Sequence, residues 1–181
     1  KINFLLIILF IPFVFFGQSN DSISIKKILD EVSVNAIRAK TNTPIAFTNL
    51  NKQQIEKSNL GQDLPFLISS TPSVVTTSDA GAGIGYTGFR IRGTDPSRIN
   101  VTINGIPLND SESQGVWWVN MPDFASSLEN IQIQRGVGTS TNGAAAFGAS
   151  INLQTIGLNT KAYAITNNSV GSYNTLKNNI E

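Results

Sequence analysis

The sequence contains no cysteine and no histidine. The first absence removes disulfide frameworks and thiolate metal sites, and the second removes the usual zinc ligand and the usual base near neutral pH. A predominant charge is missing too, because 13 lysines and arginines against 12 aspartates and glutamates leave a formal net charge of +1. Neither nucleic acid nor a strongly basic partner is indicated. Hydrolysis would need a serine activated by a lysine or carboxylate, and no spacing here marks one. The residues therefore point to no catalytic group, no metal site, no cofactor and no enzyme.

Long apolar runs are also lacking. Residues 4–16 are apolar but carry Pro12, and a bilayer-spanning helix needs about 20 such residues. With Lys1 ahead of the run and Gly17-Gln18-Ser19 behind it, residues 1–17 read as a secretory signal peptide cleaved after Gly17, the alternative being an uncleaved anchor. Lys1 stands where an initiator methionine is expected, so the chain is expected to lack its first residue or residues. Residues 18–43 hold no aromatic side chain and only scattered aliphatics such as Ile28 and Val32. Too little apolar surface is present to offset the entropy of ordering, so this stretch reads as a flexible arm.

The remainder of the 181 residues suffices for one ordinary domain. Residues 51–59 lack proline and glycine and stop before Gly61, which predicts a short helix. Residues 62–70 predict a second, with Asp63 as its cap, Pro65 in the first turn, and Leu64, Leu67 and Ile68 on one face. Pro72 bars its continuation.

Beyond the glycine-rich stretch 79–88 the period changes to two. Phe89 and Ile91 alternate with Arg90 and Arg92, Ile99, Val101 and Ile103 with Asn100 and Thr102, Ile131 and Ile133 with Gln132 and Gln134, and Ile151 and Leu153 with Asn152 and Gln154. Half-buried strands are expected at each, with a tight turn at Asn104-Gly105. Strands and helices together predict an α+β domain over 44–156, a small mixed sheet with short helices packed on it. Residues 162–170 and 173–181 form two further strand-length segments around Gly171-Ser172, in which Leu176 and Ile180 share a parity opposite to Lys177 and Asn179. That dyad suits either the first, truncated strands of a membrane barrel over 157–181 or a hairpin on a soluble sheet.

Three ordered segments carry a resemblance. They are Gly88-Phe89-Arg90-Ile91-Arg92-Gly93, continued by Arg98 and Val101-Thr102-Ile103-Asn104-Gly105-Ile106-Pro107-Leu108-Asn109-Asp110; Leu128-Glu129-Asn130-Ile131-Gln132-Ile133-Gln134-Arg135-Gly136; and Asn142-Gly143-Ala144-Ala145-Ala146-Phe147-Gly148-Ala149-Ser150-Ile151-Asn152-Leu153. In this order and spacing they resemble the plug domain of TonB-dependent outer-membrane receptors. The sequence departs from the family's usual residues at Asn104, Asn130, Gln132 and Ala149. Gly83, Gly85 and Gly88 also fit a dinucleotide-binding spacing, but that loop leads into a strand rather than a helix, which argues against a nucleotide.

The resemblance implies a fragment of a receptor in the bacterial outer membrane. Its partners would be periplasmic TonB, the membrane through a barrel, and a small-molecule or chelate ligand. Leu29-Asp30-Glu31-Val32-Ser33-Val34 is similar to the family's TonB box, where strand addition draws affinity from the backbone; the alternative is an ordinary linker. Arg90, Arg92 and Arg135 are candidates for a charge-assisted latch to acidic groups on the barrel wall, or they lie on a solvated face. Asp110, Glu112, Gln114, Trp117 and Trp118 are candidates for a ligand-facing loop, although such a tryptophan pair more often anchors a loop to a core. The expected function is binding of a scarce solute and gating of its TonB-energised uptake. A secreted binding or adhesion module is the alternative.

Overall fold

The computed structural model describes residues 38–137, 143–159, 161–172 and 174–180. The expected signal peptide and the segment Leu29 to Val34 lie outside the described residues, as does most of the expected arm. All described residues belong to one compact unit, 31–181.

Five strands form the main sheet. β1 (Ala46–Asn51) pairs antiparallel with β6 (Leu128–Arg135), β6 antiparallel with β7 (Ala149–Thr155), β7 parallel with β4 (Ile99–Ile103), and β4 antiparallel with the short β5 (Ile106–Pro107). A separate hairpin joins β2 (Val74–Ser78) to β3 (Thr87–Ile91), and another joins β8 (Thr166–Val170) to β9 (Leu176–Ile180). The mixed sheet with short helices is the α+β arrangement that the alternating segments predict. β1 and β2 were not among those segments.

The helices α1 (Lys52–Ser58) and α2 (Leu64–Leu67) cover one face of the fold. α1 starts where Asn51 accepts from the Gln54 backbone and the Gln54 side chain accepts from the Asn51 backbone, so two orphan donors are satisfied at once. α2 is shorter than the 62–70 expected. Asp63 occupies the position before it without capping; its carboxylate accepts from Thr87 Oγ1 at 2.8 Å instead, tying α2 to β3. The chain then tightens through Ser69 N–H to Phe66 O and Thr71 N–H to Ile68 O, and the helix ends.

Ile55, Leu64, Leu67 and Ile68 from this layer pack with Phe89, Ile91, Ile99, Val101, Ile131, Ile133, Ile151 and Leu153 in one apolar core. The strands differ from expectation on their other face. Asn100, Thr102, Gln132, Gln134, Ser150 and Asn152 are buried as well. Their partners account for this: Gln132 binds the backbone of Ala39, Asn100 donates to Ala144 O, and Thr102 donates to Asn152 Oδ1. Chain from before β1 and from ahead of β7 thus lies over a polar face that sequence alternation assigns to solvent.

The turn at Asn104-Gly105 takes φ of +51° and +84°, as the dipeptide predicts for a tight reversal into β5. In the β8–β9 hairpin Lys177 and Asn179 are half-buried, while Val170, Leu176 and Ile180 are exposed. Gly171-Ser172 opens the connection between the two strands, closed by Gly171 N–H to Thr175 O and Thr175 N–H to Ser172 O.

Candidate functional site

The loop expected to face a ligand divides into parts with different surroundings. Asp110 Oδ1 accepts from the N–H groups of Glu112 and Ser113 at 3.0 and 2.7 Å and from Ser113 Oγ at 2.9 Å. Those bonds, the Ser113 backbone first, hold its carboxyl below the usual aspartate range. Asp110 therefore shapes its own loop. Gln114, at φ +57°, donates to Ser111 O, and Glu112 is exposed.

Trp117 and Trp118 are also separated. Trp118 is 4% exposed and meets Phe89 with ring centroids 5.7 Å apart, so it anchors the loop to the core. Trp117 is 56% exposed. It lines a cleft of about 380 Å³ between the β2–β3 hairpin and residues 113–119, with Tyr86, Asp79 and Asp95 also on the lining. Asp95 accepts from the backbone and hydroxyl of Ser97, which lower its pKa. Sequence reasoning did not single out Asp79, Tyr86 or Asp95; the exposed tyrosine in the glycine-rich stretch was the available signal. Asp110, Glu112 and Gln114 do not line this cleft.

The arginines likewise fall into two places. Arg90 is exposed on β3, on the side away from Phe89 and Ile91 and near Asp95, whose ionised form it favours. Arg92 lies just past the strand at φ +53°, and its guanidinium covers Gly136: a Cβ built there would stand 2.9 Å from Arg92 Nη1. Arg135, half-buried at the end of β6, donates to Pro72 O at 3.4 Å, and its Nε has no partner among the described residues. The fold thus lays the Arg92 guanidinium over the glycine that follows Arg135 in the chain, while Arg90 stands beside Asp95. Among the described residues, Arg90 and Arg92 make no ion pair or side-chain hydrogen bond.

A different charged pair joins the two parts of the fold. Lys177 Nζ on β9 donates to Asp123 Oδ1 at 2.9 Å and to Ser126 Oγ at 3.3 Å, and Asn59 Nδ2 donates to the same two oxygens at 2.9 Å. Burial pushes the Asp123 carboxyl up, but the bonds from Lys177, Asn59 and Ser126 outweigh it and hold the pKa below the ordinary value. Only the lone lysine in an asparagine-rich strand signalled this in the sequence. No cluster of metal-binding side chains occurs among the described residues, and none of their helices is long and apolar enough to cross a membrane, which does not bear on a β-barrel.

Comparison with known proteins places this arrangement. A family model described as the TonB-dependent receptor plug domain matches residues 39–150. No curated protein matches. Among solved structures, the alcaligin outer-membrane receptor FauA of Bordetella pertussis superposes with a TM-score of 0.57 at 21% identity, over 77% of this chain and 23% of that one. The siderophore receptor PirA of Acinetobacter baumannii gives 0.54 at 20% identity, over 74% and 21%. The ferric yersiniabactin uptake receptor FyuA of Yersinia pestis gives 0.54 at 12% identity, over 74% and 20%. The chain spans about a fifth of the length of these receptors, and at such identities the likeness is one of fold.

Proposed function

Because this chain belongs to the TonB-dependent receptor plug family, we propose that it is the plug-bearing part of a bacterial outer-membrane receptor. The receptor binds a scarce external solute, such as a ferric chelate, and admits it when TonB moves the plug. The match over residues 39–150 carries this reading. It is supported by a following hairpin that turns Lys177 and Asn179 towards the plug and Leu176 and Ile180 away from it, the dyad a barrel wall requires. The work is binding and gating, not catalysis.

Each candidate group takes a role in that cycle. Leu29-Asp30-Glu31-Val32-Ser33-Val34 is the segment TonB captures by strand addition. Arg92, whose guanidinium lies over Gly136, and Arg135, which precedes that glycine, form the latch to carboxylates of the barrel wall, with Arg90 a separate contact; guanidinium forks suit a hold that must be released. Trp117 presents an aromatic face to the ligand at the cleft, while Asp110, Glu112 and Gln114 keep the loop in shape beside it. Domain limits of 1–17, 18–43, 44–156 and 157–181 for signal, arm, plug and first barrel strands follow from the same reading.

Deleting residues 29–34 from the full-length receptor tests it. Energised uptake of iron from a ferric chelate by whole cells is expected to fall to background while chelate binding to the cells persists. Undiminished uptake would overturn the assignment.

A further inference from the structure

The two faces of the main sheet are chemically opposite although both are buried. Beneath the helices lie isoleucines, valine and leucine. On the other side lie Asn100, Thr102, Gln132, Gln134, Ser150 and Asn152, none more than 4% exposed. Registers place them next to one another, since Asn100 pairs with Ser150, and Asn152 pairs with both Thr102 and Gln132. Three of their atoms, Asn100 Oδ1, Ser150 Oγ and Asn152 Nδ2, have no hydrogen-bond partner among the described residues.

Two segments cover this face: Asn100 Nδ2 donates to Ala144 O in one, and the Gln132 side chain binds the other at Ala39. The Gln132 amide uses its full capacity: Oε1 accepts from Ala39 N–H at 2.7 Å and from Gln134 Nε2 at 2.9 Å, while Nε2 donates to Ala39 O at 3.0 Å and to Asn49 Oδ1 at 2.8 Å. Ala39 is thereby paired on both its backbone groups as if to a strand. Arg38 adds only a 3.3 Å bond to Gln154.

We infer that Gln132 is a clasp that fastens the chain leading into the plug, and that releasing Ala39 from it wets the polar face as a route lined by hydrogen-bonding side chains. The inference rests on the proposed function, in which the pull arrives through the residues ahead of Arg38. Two physical asymmetries favour opening here. Separating the helices from the sheet would expose hydrocarbon to water, which is opposed in proportion to its area. Lifting Ala39 replaces backbone-to-amide bonds by bonds to water and gives Asn152 Nδ2, beside Gln132 in register, access to water, so part of the cost is returned. The sheet, the helices and the segment at Ala144 then stay together while the chain at Ala39 departs. Gln132 is a positioning residue: it does not touch solute in the closed state.

Thiol accessibility in the full-length receptor on whole cells tests this. Ser150→Cys reports the polar face and Ile151→Cys the apolar one, each labelled with a membrane-impermeant maleimide during ferric-chelate uptake and again after the proton gradient is collapsed. Labelling of Ser150→Cys is expected to rise by about tenfold or more on energisation, the behaviour of a local opening, while Ile151→Cys stays shielded. Gln132→Leu should raise the resting label at Ser150→Cys to a similar degree; if that variant is not assembled, Gln132→Asn, which shortens the amide, replaces it. Shielding of Ser150→Cys throughout active uptake, labelling of both faces together, or an unchanged resting label without the Gln132 amide would each overturn the clasp. Uptake that persists without residues 29–34 would instead overturn the receptor reading, so the two failures are told apart.

Discussion

Asp123 accepts from Lys177 and Asn59 in a geometry that lowers its pKa, and this fixes the sign of its pH response. A carboxyl whose folded pKa is depressed contributes fully above its unfolded value, about 3.9, and loses that contribution as pH falls through the folded pKa. The link between β9 and the plug should therefore hold unchanged down to about pH 4 and weaken only in stronger acid. Its side chains are 15% and 30% exposed, so screening limits the pair to about 1 kcal/mol. A double-mutant cycle of Lys177→Gln with Asp123→Asn, followed by urea unfolding at pH 7 and pH 3, measures both quantities.

The tryptophans give a sharper contrast at the same scale. Trp118→Ala removes a buried ring packed on Phe89 and should cost about 3–5 kcal/mol. Trp117→Ala, at an exposed position, should stay within about 0.5 kcal/mol in the same unfolding measurement. If Trp117 meets the ligand, its replacement weakens chelate binding without that loss of stability. At Gly136 a side chain faces two penalties, a φ of +104° and the Arg92 guanidinium. Gly136→Ala should thus destabilise by about 1 kcal/mol or more, with Arg92→Ala relieving the steric part.

Among the elements, the sequence was most legible where a strand has one consistently apolar parity. β3, β4, β6 and β7 follow from their isoleucines, valine, leucine and phenylalanine, and α1 follows from the absence of breakers. β1 escaped because its Ala-Phe-Thr-Asn-Leu-Asn has no such parity; it exists by virtue of β6, which meets it residue for residue. β2 is a run of valines and threonines directly after Pro72 and Ser73, and a hairpin partner across a long loop confirms it only in space. Burial of the polar parities was illegible for the same reason: the cover comes from Ala39 and Ala144, remote in the chain from Gln132 and Asn100. The site was readable only in part. The motifs mark Arg92-Gly93 and Arg135-Gly136, whereas nothing local places the first arginine over the second glycine. For α1, Asn51→Ala removes the side-chain half of the capping box, leaving its backbone N–H to Gln54 Oε1, and should cost about 1 kcal/mol in equilibrium unfolding.

For the molecule as a whole, the hairpin β8–β9 has a predicted inside and outside. Leu176, 69% exposed, lies on the outward parity and Lys177 on the inward one. Leu176→Arg would then meet lipid at a depth-dependent cost of up to about 2–4 kcal/mol. The amount of assembled receptor recovered from the outer membrane should fall. Lys177→Gln should leave it near normal, and equal recovery of the two variants would argue that the hairpin does not face lipid.

The strand order sets a timetable as well as a shape. Of the described strands β1 is made first, yet its one described neighbour in the main sheet is β6, and β4 must wait for β7 to supply its parallel edge. A nascent chain emerging from its N-terminus cannot close this sheet until the stretch near Thr155 is available. Premature collapse is thereby postponed, which in the proposed outer-membrane receptor would keep the polypeptide threadable through a secretion pore and receptive to holdase chaperones on the far side.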